Sequence, residues 1–277
     1  MTSLRQNLGN NPCLLWLRIQ KPVTWLLGPL FRRSRSIIQL ELTYNCNLKC
    51  LNCDRGCRQA PSEDFLSLSQ VDYFLKETIQ AGIKWQAIRL LGGEPTLHPQ
   101  ISDIVDRLLS YVHNHSPETQ LVLRTNGYGE ETRKILHKLP EAVEIIDSSK
   151  STSQQEFFPV NLAPQDSAVY RWTNFSNACH IPVDCGFALT PSGYYPCGVA
   201  GAIDRIFGLD LGRAELPDPE DDMFDQLAAF CRLCGHFRVA KDRIGHEVCS
   251  ASWRAVLEAY HQNPPKLTSY NPQHDQD

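Results

Sequence analysis

The first half of the chain alternates short apolar runs with stretches in which apolar residues recur at helical spacing. The apolar runs have strand length and cover residues 37–42, 87–91, 121–124 and 143–147. The helical spacing predicts helices over residues 68–81, 101–112 and 130–139. Strands that alternate with helices predict an α/β fold with a parallel sheet, which places ligand sites at the carboxyl ends of its strands.

This alternation stops after Asp147, and the second half of the chain predicts a different arrangement. Residues 148–155 are polar and predict a loop, while residues 157–162 and 168–172 could add one or two strands without helices. We therefore expect an open, truncated barrel of strand–helix units. Beyond it, two short apolar runs around the turn at Pro191 predict a hairpin over 187–197, and apolar spacing predicts a helix over 252–260.

Three of the eleven cysteines stand close together directly after the first predicted strand. Cys46, Cys50 and Cys53 are separated by three and then by two residues. Three thiolates on one loop can bind three irons of a cubane cluster and leave the fourth iron open to another ligand. The spacing therefore indicates an iron–sulfur site, and we interpret Cys57 as a thiol outside that site.

Glycines or small polar residues follow each of the other three predicted strands. Gly92-Gly93-Glu94-Pro95 follows the second strand, and its glycines allow the backbone to approach a ligand closely. Asn126 follows the third strand and Ser148 the fourth. A simpler interpretation of Asn126-Gly127 is an ordinary turn. If the sheet is parallel, all these residues lie at the same edge as the cysteine loop.

These motifs resemble the radical S-adenosylmethionine (radical SAM) superfamily, whose signature is Cys-x3-Cys-x2-Cys after the first strand and Gly-Gly-Glu-Pro after the second. The resemblance implies that Cys46, Cys50 and Cys53 hold a [4Fe-4S] cluster whose open iron binds S-adenosylmethionine. It further implies that an electron from the cluster cleaves this cofactor to methionine and a 5′-deoxyadenosyl radical, which abstracts a substrate hydrogen. The cofactor-binding residues that it implies are Gly92, Gly93, Glu94, Asn126 and Ser148.

A few residues near these motifs call for separate expectations. Asn52 stands directly before Cys53, where members of the superfamily often place an aromatic ring near the adenine, so the resemblance leaves the adenine contact open. His98 is expected at the surface, in a structural role. Cys13 and Cys249 are expected to pack as small apolar residues.

A second set of cysteines occupies the last third of the chain. Cys179, Cys197, Cys231 and Cys234 surround the predicted hairpin, and here the sequence resembles the SPASM/Twitch extension of the same superfamily. The resemblance implies a small C-terminal Twitch domain, a hairpin and a helix around an auxiliary [4Fe-4S] cluster. Cys185 is a fifth thiol that could replace Cys179. Zinc is the alternative occupant, because four-cysteine sites with a Cys-x2-Cys half are typical of structural zinc.

Composition adds bounds on domains and partners. Residues 1–36 hold six Arg and Lys residues and no acid, among many leucines and tryptophans. This basic arm predicts either one or two helices packed under the catalytic domain or an amphipathic surface that contacts a membrane or a lipid-linked substrate. We expect a partial barrel over 37–165, the Twitch-like domain over 166–262 and a disordered tail over 263–277. The net charge of −4 gives no indication of nucleic-acid binding.

The expected location is the cytoplasm, because the sequence shows no cleavable signal and its cysteines suit metal better than disulfides. The expected activity is a radical SAM oxidoreductase supplied by an external one-electron reductant such as flavodoxin or ferredoxin. Its substrate would be a small molecule. One such reaction would be the two-electron oxidation of a sugar-like or aminocyclitol alcohol. The alternatives are maturation of a ribosomal peptide or, in another class, a zinc-stabilised binding module without catalysis.

Substrate-facing residues are the least specific part of the sequence. Five charged or ionisable residues lie near the second cysteine set and could bind an anion or act as a base, although each is more often a structural residue. They are Arg171, His180, Asp184, Arg205 and His236.

Overall fold

The computed structural model describes residues 11–152, 157–239 and 245–270. Its centre is a six-stranded sheet in the order β4-β3-β2-β1-β5-β6. The strands are β1 (Ile37–Glu41), β2 (Ala87–Leu91), β3 (Gln120–Thr125), β4 (Val143–Asp147), β5 (Phe187–Thr190) and β6 (Gly193–Tyr195). All neighbouring strands pair in parallel except β5 and β6, which pair antiparallel. The prediction of an α/β fold with a mostly parallel sheet is thereby confirmed.

Nine helices accompany the sheet in the described residues, together with short 3-10 turns. They are α1 (Pro12–Arg18), α2 (Lys21–Leu27), α3 (Leu68–Gln80), α4 (Ile101–His115), α5 (Glu130–Leu136), α6 (Ile181–Asp184), α7 (Gly198–Phe207), α8 (Phe224–Cys231) and α9 (Ala251–Gln262). The predicted elements of the first half lie within a few residues of the observed ones. None of these helices has the length and apolar character needed to cross a bilayer.

The main core lies between the sheet and the helices α3 and α4. α3 begins with a capping box, in which the Ser67 side chain and the Gln70 side chain each accept from the other residue's backbone amide. Phe74 of α3 and Leu108 of α4 are fully buried against Leu90 of β2. Burial of these apolar faces, rather than helix propensity, is the main source of stability for such helices.

The hairpin joins the main sheet instead of standing apart from it. β5 pairs in parallel with β1, so that Ile38 is opposite Phe187 and Leu40 is opposite Leu189. Gly186 makes this close approach, since it has φ +87° and a Cβ there would overlap the Ile37 carbonyl oxygen. The predicted hairpin is therefore present, but the sheet extends across the predicted domain boundary at residues 165 and 166.

A second core fills the space behind the hairpin. α7 is buried along almost its whole length and packs against α8 and α9. The indole of Trp253 on α9 donates to the carbonyl of Leu233, which ties α9 to the loop after α8. The sequence predicted α9 but not α7 or α8.

Five expectations differ from the structure in the described residues. Residues 157–162 form no strand, and residues 168–170 form a 3-10 turn. Of the tail predicted to be disordered, Tyr270 is buried, and its hydroxyl contacts Tyr194 and Glu77 in the core beside the hairpin. His98 is 2% exposed, and Cys13 is exposed instead of packed. Residues 271–277 of the predicted tail and 153–156 of the predicted loop lie outside the described residues.

The basic arm forms two short helices on the side of the 3-10 turns. Ile19 packs with Tyr170 and Phe237 in a small third core. Asn177 binds the arm by donating to the Arg18 carbonyl and accepting from the Leu30 amide. Residues 1–10 of the predicted arm lie outside the described residues.

Candidate functional site

A cavity of about 260 Å³ opens at the carboxyl ends of β1 to β4. This is the edge at which a parallel sheet collects its ligand-binding loops. Predicted site residues that line the cavity are Cys46, Cys50, Cys53, Gly92, Gly93, Asn126 and Ser148. The cavity is also lined by Arg55, Cys57, Arg124, Lys150 and Phe157.

The thiols of the cysteine loop are largely removed from water. Burial raises the pKa of Cys46 to about 12, with a smaller contribution from the neighbouring cysteines. Cys53 accepts a hydrogen bond from the Cys57 thiol, which lowers the pKa of Cys53. Because ligand thiols bind metal as thiolates, a buried set of this kind needs a cation among them to stay deprotonated. The donor set and the cavity fit a three-cysteine iron–sulfur cluster.

The glycines lie where no side chain would fit. A Cβ on Gly92 would overlap the Thr43 carbonyl oxygen, and one on Gly93 would overlap the Asn45 carbonyl oxygen. The backbone amide of Gly93 donates to Thr43 O at 2.7 Å, and that of Glu94 donates to Asn45 O at 2.9 Å. The Gly-Gly turn therefore holds the start of the cysteine loop, and glycine is required there for space.

Glu94 acts on the cavity indirectly. Its side chain is fully buried and does not line the cavity. The carboxylate accepts from the Thr96 amide and hydroxyl and from the Thr125 hydroxyl at one oxygen, and from the Asn126 amide at the other. These four hydrogen bonds compensate the buried charge. Glu94 thus positions Asn126, and its predicted role in binding the cofactor stays a prediction.

Asn126 connects the third strand's loop to the cysteine loop. Its amide nitrogen donates to Asn47 Oδ1 at 2.8 Å and lies 3.9 Å from the sulfur of Cys46, while its oxygen accepts from the Tyr128 amide. Ser148 donates through its hydroxyl to Thr125 O at 3.0 Å. Asn126 is therefore more than a turn residue, since its side chain contacts the cysteine loop.

Asn52 occupies its position for a structural reason. It has φ +53°, a left-handed conformation that asparagine tolerates better than most residues, and it is fully buried. Its amide group donates to the His246 carbonyl and accepts from the Val248 amide. The residue before Cys53 thus anchors residues 245–250 to the cysteine loop.

A buried ion pair stands beside the cavity. Glu41 at the end of β1 is fully buried and accepts from Arg55 Nη2 at 2.7 Å, with further bonds to Nε. Arg55 also pairs with Asp54 at 3.0 Å. A Cβ on Gly198 would overlap the Glu41 carboxylate, so the pair lies directly against the start of α7, next to Cys197. The Arg55–Glu41 pair therefore lies between the two cysteine sets.

Cys179, Cys197, Cys231 and Cys234 line one narrow cavity of about 20 Å³, whose other walls are apolar. Burial raises the pKa of Cys197 to about 12 and that of Cys231 and Cys234 well above the usual value, and mutual repulsion with Cys179 adds to each. Such a set suits a thiophilic metal, iron–sulfur or zinc.

A zinc ion and an iron–sulfur cluster differ in the space and in the arrangement of thiolates that they require. A single ion needs less room than a cluster. In the described ranges no three His, Cys, Asp or Glu side chains converge to hold one metal ion. Thiolates of a cubane bind separate irons and need no such convergence.

Comparison with known proteins identifies the first part of this architecture. Residues 40–150 match the family model described as the radical SAM superfamily. Over these residues the chain is similar to that superfamily. The matched residues contain the three motif cysteines, the Gly-Gly turn, Asn126 and Ser148, so the family match covers the whole first cavity apart from Phe157.

Curated relatives match over much the same part of the chain. A GTP 3′,8-cyclase of Nautilia profundicola is 34% identical over 100 residues, 35% of this chain and 30% of the relative. One from Helicobacter pylori is 34% identical over 105 residues, 37% of this chain and 31% of the relative. The mouse molybdenum cofactor biosynthesis protein 1 is 31% identical over 123 residues, 44% of this chain and 18% of the relative. The matched segment thus spans less than a third of each relative's length.

Among solved structures, a crystal structure of BtrN in complex with AdoMet and 2-DOIA aligns with a TM-score of 0.42. The sequence identity is 12%, and the alignment covers 79% of this chain and 97% of that one. Similarity at this level does not establish a shared fold.

Other predicted residues do not line either cavity. Cys185 is not among the residues that line the narrow cavity with Cys179. The five substrate-facing candidates, Arg171, His180, Asp184, Arg205 and His236, line neither cavity. Arg205, for example, is buried and donates to the Ala60 carbonyl and the Tyr260 hydroxyl, which is a structural role.

The charged residues that do line the radical SAM cavity were missed in the sequence. Arg124 precedes Asn126 by two residues and Lys150 follows Ser148 by two, so position at a strand end was a usable signal. The Lys150 ammonium lies 5.6 Å from the centre of the Phe157 ring. Arg55 gave no comparable signal, because its place depends on the buried partner Glu41.

Proposed function

We propose that the chain is a radical SAM enzyme that cleaves S-adenosylmethionine reductively and abstracts a hydrogen atom from a small molecule. The observation that carries this proposal is the 260 Å³ cavity, in which Cys46, Cys50 and Cys53 meet the glycine turn and the polar ends of β3 and β4. A cavity with convergent polar groups at this edge of the sheet is the expected form of such a site.

Cys46, Cys50 and Cys53 would hold the reducing [4Fe-4S] cluster. When bound, this cluster supplies the electron that cleaves S-adenosylmethionine, and the resulting 5′-deoxyadenosyl radical removes the substrate hydrogen. Gly92 and Gly93 leave room for the cofactor beside the cysteine loop. Asn126 and Ser148 offer an amide and a hydroxyl from the same edge.

Arg124 and Lys150 give the cavity positive charge. Neither has an ion pair with an acidic residue within the described part of the chain, unlike Arg55, which pairs with Glu41 and Asp54. They would orient carboxylate or phosphate groups of the bound molecules. Water exclusion falls to Leu48, Leu91, Ile146 and Phe157, which form the apolar part of the lining.

The second cysteine set would bind an auxiliary iron–sulfur cluster through Cys179, Cys197, Cys231 and Cys234. With four protein ligands this cluster would accept an electron rather than bind substrate. The carbon of a substrate alcohol would then lose one hydrogen atom to the deoxyadenosyl radical. The resulting substrate radical would lose its hydroxyl proton to a base or to water and one electron to the auxiliary cluster. The product would be a ketone two hydrogens lighter than a sugar-like alcohol. An external one-electron reductant would supply the first electron.

A second substrate class has support from the relatives' names. Proteins named GTP 3′,8-cyclase match the radical SAM domain. Arg124 and Lys150 could bind the phosphate groups of a nucleoside triphosphate. GTP therefore belongs among the first compounds to test beside polyols.

The first test is the iron, sulfide and zinc content per chain after anaerobic reconstitution. We expect about eight irons in the wild type and about four in a variant with Cys46, Cys50 and Cys53 changed to Ala. The matched control is Cys57→Ala, which removes a thiol from the same cavity and should keep about eight irons. About four irons in the wild type and none in the triple variant, with zinc in both, would contradict the auxiliary cluster but support the radical enzyme. Zinc alone would support the binding-module alternative and refute the enzyme.

A second measurement addresses the chemistry. With dithionite as reductant, the wild type and Cys57→Ala should release 5′-deoxyadenosine from S-adenosylmethionine, and the triple variant should release none. Product mass then separates the substrate classes: a loss of two hydrogens indicates alcohol oxidation. Consumption of GTP without that loss would favour the cyclase-like alternative.

A further inference from the structure

Exposed apolar side chains are concentrated on one side of the described chain. Seven of its twelve exposed large hydrophobic residues come from α1, α2 and the segment 168–172. They are Leu14, Leu17, Trp25, Leu26, Leu27, Val169 and Trp172, and together we call them the arm surface. Trp25 is 86% exposed and Trp172 is 63% exposed, which is unusual for the largest apolar side chain.

The two segments that carry the arm surface lie side by side. The Lys21 amide donates to Trp172 O at 2.9 Å, and the Asn174 amide donates to Ile19 O at 2.8 Å. The rings of Trp16 and Tyr170 pack edge-to-face at 5.5 Å beneath them. The arm surface is therefore one region of the molecule held by main-chain hydrogen bonds.

The inner side of α2 is fixed, which leaves its outer side free to contact another body. Thr24 is buried and donates to the Arg18 carbonyl, while Asn177 donates to the Thr24 hydroxyl. Lys21 and Trp25 are one helical turn apart, on the same side of α2, and both are exposed. α2 thus presents a cation and an indole together.

Within the two segments that carry the arm surface, the charges that are not paired have one sign. Lys21 is exposed, and the Arg171 guanidinium lies 5.5 Å from the centre of the Trp172 ring. The one acidic residue in 11–36 and 157–175 is Asp166, whose carboxylate accepts from the Ser252 amide and hydroxyl and so is engaged with α9. Arg32 and Arg35 both form ion pairs with Asp222, and they therefore add less positive charge than two unpaired arginines would.

We propose that the arm surface binds an anionic phospholipid membrane. Exposed tryptophans and leucines beside arginine and lysine, without acids, are the combination with which amphipathic helices bind the interface of an anionic bilayer. A bilayer accepts isolated indoles at the level of its headgroups, and negative lipids complement Lys21 and Arg171. The proposal is independent of the reaction that the radical SAM domain performs.

The test is co-sedimentation of the full chain with sucrose-loaded vesicles at ~0.1 M salt. One set of vesicles is phosphatidylcholine, and the other contains about a third phosphatidylglycerol. We expect binding to the anionic vesicles and little binding to the neutral ones. Bound protein should also show a blue shift of tryptophan emission, because Trp25 and Trp172 leave water.

Two variants separate the apolar and the ionic contributions. Trp25→Glu with Leu26→Glu should weaken binding at least about tenfold, since it removes two large apolar groups from the contact. Lys21→Glu with Arg171→Glu should weaken binding to anionic vesicles about tenfold or more. The matched controls are Ile145→Glu and Lys138→Glu, at exposed positions elsewhere, and both should bind as the wild type does. All substituted residues are exposed, and circular dichroism checks the fold.

Three results would overturn the proposal. The wild type could fail to sediment with either vesicle, or it could bind neutral and anionic vesicles equally. The third result is self-association: a concentration-dependent dimer in analytical ultracentrifugation that Trp25→Glu with Leu26→Glu dissociates. The arm surface would then be an interface between copies of this chain.

Discussion

At the scale of single residues, the first cavity depends on small side chains and on buried hydrogen bonds as much as on its thiols. Gly92 and Gly93 are required because the cysteine loop lies against their backbone. Glu94 does not line the cavity, but its carboxylate accepts a hydrogen bond from the Asn126 amide and so holds Asn126 in place. The motif cysteines were identifiable from spacing alone, whereas the role of Glu94 was not, because its four hydrogen bonds come from residues 96, 125 and 126.

We predict that Gly93→Ala lowers both cluster incorporation and stability. A methyl group there would overlap the Asn45 carbonyl oxygen and lie 3.0 Å from the Cys46 Cβ, so the cysteine loop must shift. Such overpacking typically costs about 1–3 kcal/mol of the free energy of unfolding. Urea unfolding and iron content after reconstitution measure the two effects.

The control for this substitution is Gly82→Ala at the end of α3. Gly82 has φ +63° but no atom within 4 Å of a Cβ, so alanine there costs conformational strain without a collision. It should lower stability modestly and leave iron content unchanged. Equal iron loss in both variants would contradict a specific role of Gly93.

Another distinction at the residue scale is that between Cys179 and Cys185. Sequence spacing left both as auxiliary ligands, since each precedes the hairpin within a few residues. The narrow cavity is lined by Cys179 together with Cys197, Cys231 and Cys234. Cys185 does not line it; it follows α6 in the sequence, whereas Cys179 precedes α6. The geometry therefore favours Cys179 for the proposed cluster.

At the scale of elements, buried polar links join loops that the sequence gives no reason to connect. His98 follows the 3-10 turn after the Gly-Gly motif, and its Nδ1 accepts from the Gln100 amide at 3.0 Å. Its Nε2 therefore carries the proton and donates to the Leu66 carbonyl, also at 3.0 Å. This neutral imidazole ties the start of α3 to the start of α4, and burial lowers its pKa below the ordinary value of 6.5.

We predict that His98 makes the stability of the protein pH-dependent below about pH 6.5. The pKa is lower in the folded than in the unfolded state, so the unfolded chain takes up the proton first as pH falls. The contribution of His98 is complete above the unfolded pKa and is lost as pH falls through the folded pKa. The free energy of unfolding in urea at about pH 7.5 and pH 5.5 measures the difference.

The variants for this prediction are His98→Gln and His113→Gln. His98→Gln should reduce the loss of stability between the two pH values, although it lowers stability at both. His113 is exposed on α4, and its substitution should leave the pH dependence as in the wild type. An unchanged pH dependence in His98→Gln would show that other groups are responsible.

Periodicity predicted the βα elements of the first half well because their alternating apolar patterns record burial on a sheet or on a helix face. It failed for α7, nearly all of whose residues are buried. A helix buried on all sides lacks the polar face that makes helical periodicity visible, so its sequence does not distinguish it from a strand or a loop. The 3-10 turn at residues 168–170 was mistaken for a strand for a related reason, since a short apolar run fits both.

At the scale of the whole molecule, the two cysteine sets tie together different amounts of chain. The first set lies within one loop, from Cys46 to Cys53. The second set joins the segment before α6, the end of β6, the end of α8 and the turn after it. A metal bound to the second set therefore cross-links residues 179–234 and closes longer loops, which stabilises the folded state more.

We predict that metal loading raises the melting temperature mainly through the second set. Anaerobic reconstitution of the wild type should raise Tm by at least about 5 °C, since each kcal/mol is worth about 2–4 °C at this size. A variant with Cys231→Ser and Cys234→Ser should lose most of this gain. The variant with Cys46, Cys50 and Cys53 changed to Ala should keep most of it. Comparing each variant with and without metal removes the effect of the lost thiols themselves, and an equal gain in both variants would contradict the prediction.

The sequence by itself determined the α/β class, the strand–helix order from residue 37 to 147, and the radical SAM motifs. These features are local: apolar periodicity reflects one element and its burial, and the cysteine spacing lies within one loop. The same holds for the hairpin, whose two strands are neighbours in the chain.

Only the tertiary structure decided which distant residues meet. The pairing of β5 with β1, the burial of Tyr270 against Tyr194, and the position of Arg55 beside Glu41 all join residues far apart in the chain or dependent on a buried partner. The arm surface is also of this kind, because its two segments are joined by main-chain hydrogen bonds between residues far apart in the chain. Contacts of this range depend on the packing of whole elements, and a linear pattern carries no record of which elements pack together.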